Sequence, residues 1–253
     1  MLFIDHLQLA SHGLRLSQPL ELRLPQGQWL GLLGPNGCGK TTLLKTLAGL
    51  LPAGEGQLWF ADHSLLSMTP RERAHQLAIM VQHNAPCGGL TVEQVVALGK
   101  APDRTLDRTW LAQLLQLCGL TGLRNAPLEC LSGGQVQRTM LAQALFQDTP
   151  VMLLDEPANH LDIFHLHHLL SMLRQRSLTV IASFHDMNVA AQYCDQLLLL
   201  ADGEQVACGA PEQVLTEANL LKAYGVDTHI ATGVLGRPQV TVLGPHHNKR
   251  NGI

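Results

Sequence analysis

Several common features are missing from this chain, and each absence narrows what it does. No long run of lysine and arginine occurs, and no basic residues interleave with aromatics; 17 basic and 20 acidic residues are spread along the sequence for a net charge of −3. A nucleic-acid partner is therefore not expected. No apolar stretch reaches the roughly 18–20 residues needed to span a bilayer. The N-terminus lacks a basic segment followed by an apolar one, the pattern of a secretory signal. The expectation is a protein that is soluble by itself and stays in the cytoplasm. The six cysteines include no C-x-x-C pair, which argues against a zinc site or a disulfide framework and fits reduced thiols. Thirteen histidines are dispersed, and the pairs His167-His168 and His246-His247 read as solvated rather than metal-binding. There is no internal repeat and no low-complexity tract. At 253 residues the chain is one large domain, or a domain with a sizeable insertion.

What is present begins with Gly34-Pro35-Asn36-Gly37-Cys38-Gly39-Lys40-Thr41-Thr42, which fits G-x-x-x-x-G-K-[ST] at every fixed position. Trp29–Leu33 ahead of it reads as a buried strand, and the apolar residues of Leu43–Leu50 recur at helical spacing. Strand, glycine loop and helix together form a phosphate cradle. The glycines let successive N–H groups converge on phosphate oxygens, and the helix N-terminus adds partial positive charge. Lys40 is placed for the β- and γ-phosphates and Thr41 for Mg²⁺. The motif implies a nucleoside triphosphate.

The rest of the pattern surrounds this unit. Residues 2–9, 20–24 and 56–60 alternate as half-buried strands of an antiparallel layer. Thr69 caps a helix with Pro70 in its first position, and Leu77–Val81 is an apolar strand ending at Gln82. From about Asn84 to Cys130 the character turns helical, with Thr91 capping Val92–Leu98 and Asp107 capping Arg108–Cys118. Val151–Leu154 and Leu178–Ala182 read as strands buried on both faces of a parallel sheet. Leu197–Leu200 and Glu204–Ala207 form a hairpin around Asp202-Gly203. The stretch after Val226 is weakly patterned and is expected to carry no chemistry.

Two further motifs carry chemistry. Asp155 and Glu156 emerge at the end of Val151–Leu154, where parallel sheets place ligand sites; Asp155 suits a metal and Glu156 suits a proton acceptor for an attacking water. Leu131-Ser132-Gly133-Gly134-Gln135 opens a helix running to about Gln147, with Ser132 as cap and two glycines baring its N–H groups, a second anion site.

Leu131–Gln135 is identical to the LSGGQ signature of ABC-type ATPases, and it precedes Asp155-Glu156 by about twenty residues, as in that family. The resemblance implies an α/β P-loop NTPase core with an antiparallel β layer and an α-helical subdomain insertion. It implies domain bounds of 1–226 for the ATPase, with the helical subdomain at about 84–147, and a tail over 227–253. Gln82 then corresponds to the Q-loop glutamine that senses Mg²⁺ and the lytic water, Asn159–Asp162 to the D-loop with Asp162 its acid, and His185 to the switch histidine that contacts the γ-phosphate. ATP and Mg²⁺ are the implied ligands, the metal held by Thr41, Asp155 and Gln82. The family's active site is composite: the P-loop, acid pair and His185 of one copy face the Ser132-Gly133-Gly134 loop of another in a head-to-tail dimer. The family usually carries an adenine-stacking aromatic about 23 positions before the P-loop glycine; here that position is Ser11, followed by His12.

His185-Asp186-Met187-Asn188-Val189-Ala190-Ala191-Gln192-Tyr193-Cys194-Asp195 resembles the run found in importer ATPases for iron–siderophores, haem and cobalamin, as do Leu90–Lys100, Gly203–Pro211 and Leu221–Val226. The short linker after Gly99 and the missing aromatic lean towards the cobalamin importer. What this likeness implies is a peripheral protein on the cytoplasmic face of the inner membrane, driving a polytopic permease dimer fed by a periplasmic or lipid-anchored substrate-binding protein. The competing reading within the family is a soluble ABC switch. Such proteins carry two ATPase units or a long coiled coil, and this chain has neither. An exporter's ATPase is the other, against the run after His185.

Overall fold

The computed structural model describes residues 1–9, 18–81, 88–101, 103–159 and 161–246. Strands β1 (Leu2–Leu7) and β2 (Leu20–Leu24) precede β3 (Trp29–Leu33), which enters α1 (Lys40–Leu47) through the glycine loop. β4 (Gln57–Phe60), β5 (His63–Ser64), α2 (Pro70–Arg73) and β6 (Leu77–Met80) follow. Then come α3 (Val92–Ala97), α4 (Arg108–Leu117) and α5 (Gly133–Phe146). β7 (Val151–Leu154), α6 (Ile163–Arg174), β8 (Thr179–Ser183), α7 (Met187–Tyr193), β9 (Gln196–Ala201) and β10 (Glu204–Gly209) return the chain to the sheet. Two short helices, α8 (Pro211–Val214) and α9 (Glu217–Tyr224), lead to β11 (Val226–Thr232) and β12 (Pro238–Pro245).

Six strands form the central sheet in the order β10-β9-β3-β8-β7-β6. β9, β3, β8, β7 and β6 are parallel, and β10 is an antiparallel edge. The central strands are apolar at consecutive positions because both faces are covered. Alternation sorts them: Trp29, Leu33, Met152, Leu154, Val180, Ala182, Leu197 and Leu199 pack with the helices α3–α7 and α9. Leu30, Leu32, Val151, Leu153, Ile181, Leu198 and Leu200 pack with α1 and with the antiparallel sheet β2-β1-β4-β5. β3 is thus shared between two cores, and the loop at its end rests on a rigid base.

Local chemistry sets most boundaries. Capping boxes at Thr69/Glu72, Thr91/Gln94 and Ser132/Gln135, and a side-chain cap from Asp107, start α2, α3, α5 and α4. α1 begins at Lys40, earlier than the apolar spacing of Leu43–Leu50 suggests. It stops before Gly49, whose φ is +68° and whose Cβ would lie 1.6 Å from Arg73 Nη1. That guanidinium donates to the carbonyls of Ala48, Leu65 and Met68. β1 ends at Leu7 rather than residue 9 because His6 takes φ +50° and the register with β2 shifts between Ile4 and Leu7.

The stretch after Val226 corrects its weakly patterned reading: β11 and β12 pair as an antiparallel hairpin. Asn188 of α7 clamps it, accepting from Val240 N–H at 2.7 Å and donating to Val240 O at 3.1 Å. Its strands were hidden because most of their side chains are exposed, so no apolar alternation marks them. No helix of the described residues is long and apolar enough to cross a membrane.

Candidate active site

The registers Leu32↔Ser183 and Leu154↔Ala182 bring the carboxyl ends of β3, β8 and β7 level, with β3 lying between β8 and β9, where strand order reverses. Ligands of open parallel sheets bind at such an edge. The glycine loop is built by Gly34, Gly37 and Gly39, with φ of +144°, +80° and +109°. At Gly34 a Cβ would lie 2.1 Å from Leu200 O, so the loop can approach β9 only without a side chain. Lys40 is buried and donates to Gly34 O at 2.7 Å and Pro35 O at 3.0 Å.

Across 114 residues of sequence, Thr41 Oγ1 donates to Asp155 Oδ2 at 2.7 Å. Asp155 is 1% exposed, and its Oδ1 accepts from Ser183 Oγ at 2.8 Å. The same hydroxyl accepts from Glu156 N–H at 2.8 Å, so one serine aligns both acids. Glu156 adopts φ +51°, a left-handed backbone that costs an L-residue roughly 1–2 kcal/mol, and the surroundings hold it there. Its Oε2 accepts from Asn159 Nδ2 at 2.6 Å and its Oε1 lies 2.6 Å from His185 Nε2. Gln137 of α5 donates to its carbonyl at 2.8 Å. His185 is half exposed and Glu156 is not, so the imidazole stands between the carboxylate and solvent.

The signature loop lies apart from this cluster. Ser132, Gly133, Gly134, Gln135, Arg138, Leu161, Asp162 and His165 line a cavity of about 390 Å³. Asp162 caps α6 through His165 N–H at 2.8 Å. That bond, the His165 imidazole and Arg138 hold its carboxyl below the usual aspartate range.

The cradle residues, Asp155, Glu156 and His185 therefore come together, and Ser132–Gln135 line a different cavity with Asp162. Gln82 of the expected metal set, Ser11, His12 and His160 lie outside the described residues. Ser183 and Gln137 carry structural weight that sequence reasoning missed. A polar residue directly following the buried run Leu178–Ala182 was the signal for Ser183; Gln137 lay unremarked in the helix expected to run from Ser132 to about Gln147. A thiol beside Lys40 at a helix N-terminus should be acidified, yet Cys38 is buried in the β3–α1 core, and burial pushes its thiol up against the weaker pull of Lys40. Beneath the loop, burial also raises the Tyr224 phenol to about 12, although Gly34 N–H faces it. His167, read as solvated, bonds Tyr193 Oη at 2.8 Å.

Comparison with known proteins agrees with this geometry. Residues 17–159 match the model of the ABC transporter family. The ferric enterobactin transport ATP-binding protein FepC of Escherichia coli K12 is 34% identical over 95% of this chain and 93% of its own. The hemin import ATP-binding protein HmuV of Escherichia coli O157:H7 is 36% identical over 96% and 99%. A solved metal-chelate type ABC transporter, in an inward-facing conformation, shares the fold with a TM-score of 0.79 at 24% identity, covering 96% of this chain and 97% of that one. The chain belongs to the ABC transporter family. It is an ATP-binding ATPase subunit of that family, related to the ATPases of siderophore and haem import.

Proposed function

We propose that this subunit hydrolyses ATP at the cytoplasmic face of the cell membrane to drive an importer of a metal chelate: a ferric siderophore, haem or cobalamin. The observation that carries the catalytic part is the meeting of the glycine loop, Thr41, Asp155, Glu156 and His185 at one sheet edge. The name of HmuV, a hemin import protein, supports import, and with that of FepC, a ferric enterobactin transport protein, favours an iron chelate.

ATP phosphates would lie on the amides of Gly34–Thr42, with the Lys40 ammonium exchanging its carbonyl partners for β- and γ-oxygens. Thr41 Oγ1 and Asp155 Oδ2, hard oxygen donors 2.7 Å apart, fit Mg²⁺, with Gln82 the expected third. When bound, that ion supplies positive charge at the phosphate oxygens. Asn159 and His185 aim the Glu156 carboxylate, which accepts a proton from the attacking water, while His185 reaches the γ-phosphoryl. The Ser132-Gly133-Gly134 loop of a second copy would complete the site by stabilising γ-phosphoryl charge. Exposed Ile163 and Phe164, next to Asp162, support such an apposition.

ATP closes the pair and hydrolysis reopens it, a two-state cycle that moves the permease. The proposed contact lies where the helical subdomain meets the core: Leu98, Gly99, Lys100 and Gln143 of the former and Ala74 and Ile79 of the latter line a groove of about 340 Å³, and Leu98 is exposed. The substrate-binding protein is reached only through the permease. The test is affinity purification of the tagged chain from solubilised membranes of its host. A polytopic permease encoded beside a substrate-binding protein supports the importer. Recovery of ribosomes, nucleic acid or soluble partners alone overturns it in favour of a soluble ABC switch.

A further inference from the structure

Glu156 is held by its surroundings in a backbone conformation it does not prefer, and one of its anchors comes from an unexpected direction. Ser183 ends β8 and His185 follows it two residues on, while Asn159 belongs to the loop after Glu156 itself. Gln137 belongs to α5, where it sits about a turn and a half beyond the cap Ser132, and its Nε2 donates to the Glu156 carbonyl at 2.8 Å. A carbonyl held on one side and an N–H held by Ser183 on the other fix the orientation of both peptides flanking Glu156. The φ of +51° then sets where the carboxylate points.

We infer that Gln137 is a positioning residue for hydrolysis, coupling each signature loop to the Glu156 of its own chain. An α-helix transmits displacement as a rigid element, so a shift of the Ser132–Gln135 turn reaches Gln137 within the same helix. The inference rests on the composite-site reading: the signature loop of one copy serves the nucleotide of the other, and Gln137 reports that engagement to its own carboxylate. The two ATP sites are thereby linked through α5, independently of the Asp162 loop. No covalent step is involved; the carboxamide only fixes the geometry from which Glu156 accepts its proton.

The experiment compares Gln137→Leu and Gln137→Glu, both close in volume to glutamine and neither able to donate to the carbonyl, in the complete transporter or in the ATP-hydrolysing dimer. The expected result is a fall in kcat of roughly tenfold to a hundredfold, the scale of a misplaced catalytic group, with ATP affinity within about twofold and a lowered Hill coefficient for ATP. In a Glu156→Gln background the same substitutions should cost nothing further, since the group they position is gone. A loss of ATP affinity that parallels the loss of kcat, or a full additional loss in the Glu156→Gln background, means general packing and overturns the inference. Unchanged kcat with an inactive Glu156→Gln overturns it alone. An active Glu156→Gln overturns the underlying catalytic reading instead.

Discussion

His185 Nε2 lies 2.6 Å from Glu156 Oε1, at a point where β7 and β8 end side by side. In the proposed mechanism Glu156 accepts the proton of the attacking water and His185 meets the γ-phosphoryl, so the two proposed roles fall to groups in direct contact. Glu156→Gln keeps the shape and one accepting oxygen, enough for the bond from Asn159, but puts an N–H₂ donor in place of the other oxygen and removes the base. It should retain ATP binding and lower turnover by roughly 10²–10⁴, measured as phosphate release beside nucleotide affinity. His185→Ala should lower turnover by about 10² with little change in affinity. Near-normal hydrolysis by Glu156→Gln removes it from the role.

Cys38 should react slowly. Its side chain is 5% exposed and burial holds its thiol above the ordinary cysteine value, so little thiolate exists at neutral pH. The rate of alkylation by iodoacetamide should be below that of a free thiol at pH 7 and should still climb above roughly pH 8.5. ATP should slow it further by covering the loop. Fast modification at pH 7, followed by mass spectrometry, contradicts this.

Asp195 joins three elements. Its Oδ2 accepts from Trp29 N–H at the start of β3 and from Arg174 at the end of α6, both at 2.8 Å, and its Oδ1 accepts from the same guanidinium at 3.1 Å. Burial raises the carboxyl, but the guanidinium and the amide outweigh it, and the group titrates below its usual range. A depressed carboxyl contributes stability that is fully present above the unfolded-state value of about 3.9 and is lost as pH falls through the folded value. Asp195→Ala should cost roughly 1–3 kcal/mol at neutral pH, mainly by stranding Trp29 N–H, with a smaller penalty in acid. Thermal unfolding at pH 7 and below pH 4 reads the difference.

Asn188 ties α7 to β12 through two hydrogen bonds to Val240. Asn188→Ala should leave the sheet intact and raise hydrogen exchange at the Val240 amide by roughly tenfold, the loss of about 1.4 kcal/mol at a partly buried pair. Unaltered exchange would mean that β11 and β12 hold each other without the clamp.

Much of this was legible because glycine, capping residues and apolar alternation act locally. Gly34-x-x-x-x-Gly39-Lys40, Ser132 as a helix cap and Val151–Leu154 ahead of two acids each report their own conformation. The contacts among them were not legible. Thr41 and Asp155 meet only after the sheet sets their strands side by side, and Ser183 acquires its role only when β8 lands next to β7. The state of the Cys38 thiol was not legible either, because Lys40 is its neighbour in sequence whereas its surroundings in space are apolar. The β11–β12 hairpin escaped because its side chains are mostly exposed and its pairing is local to a segment with no buried stripe.

Uptake in the host tests the central claim most directly. The chromosomal copy would be deleted and import of labelled ferric siderophores, haem and cobalamin measured, with wild type or Glu156→Gln restored from a plasmid. The account predicts that uptake of one chelate class is lost, that wild type restores it and that Glu156→Gln does not. Uptake of every chelate at the parental rate in the deleted strain, or full restoration by Glu156→Gln, would contradict it.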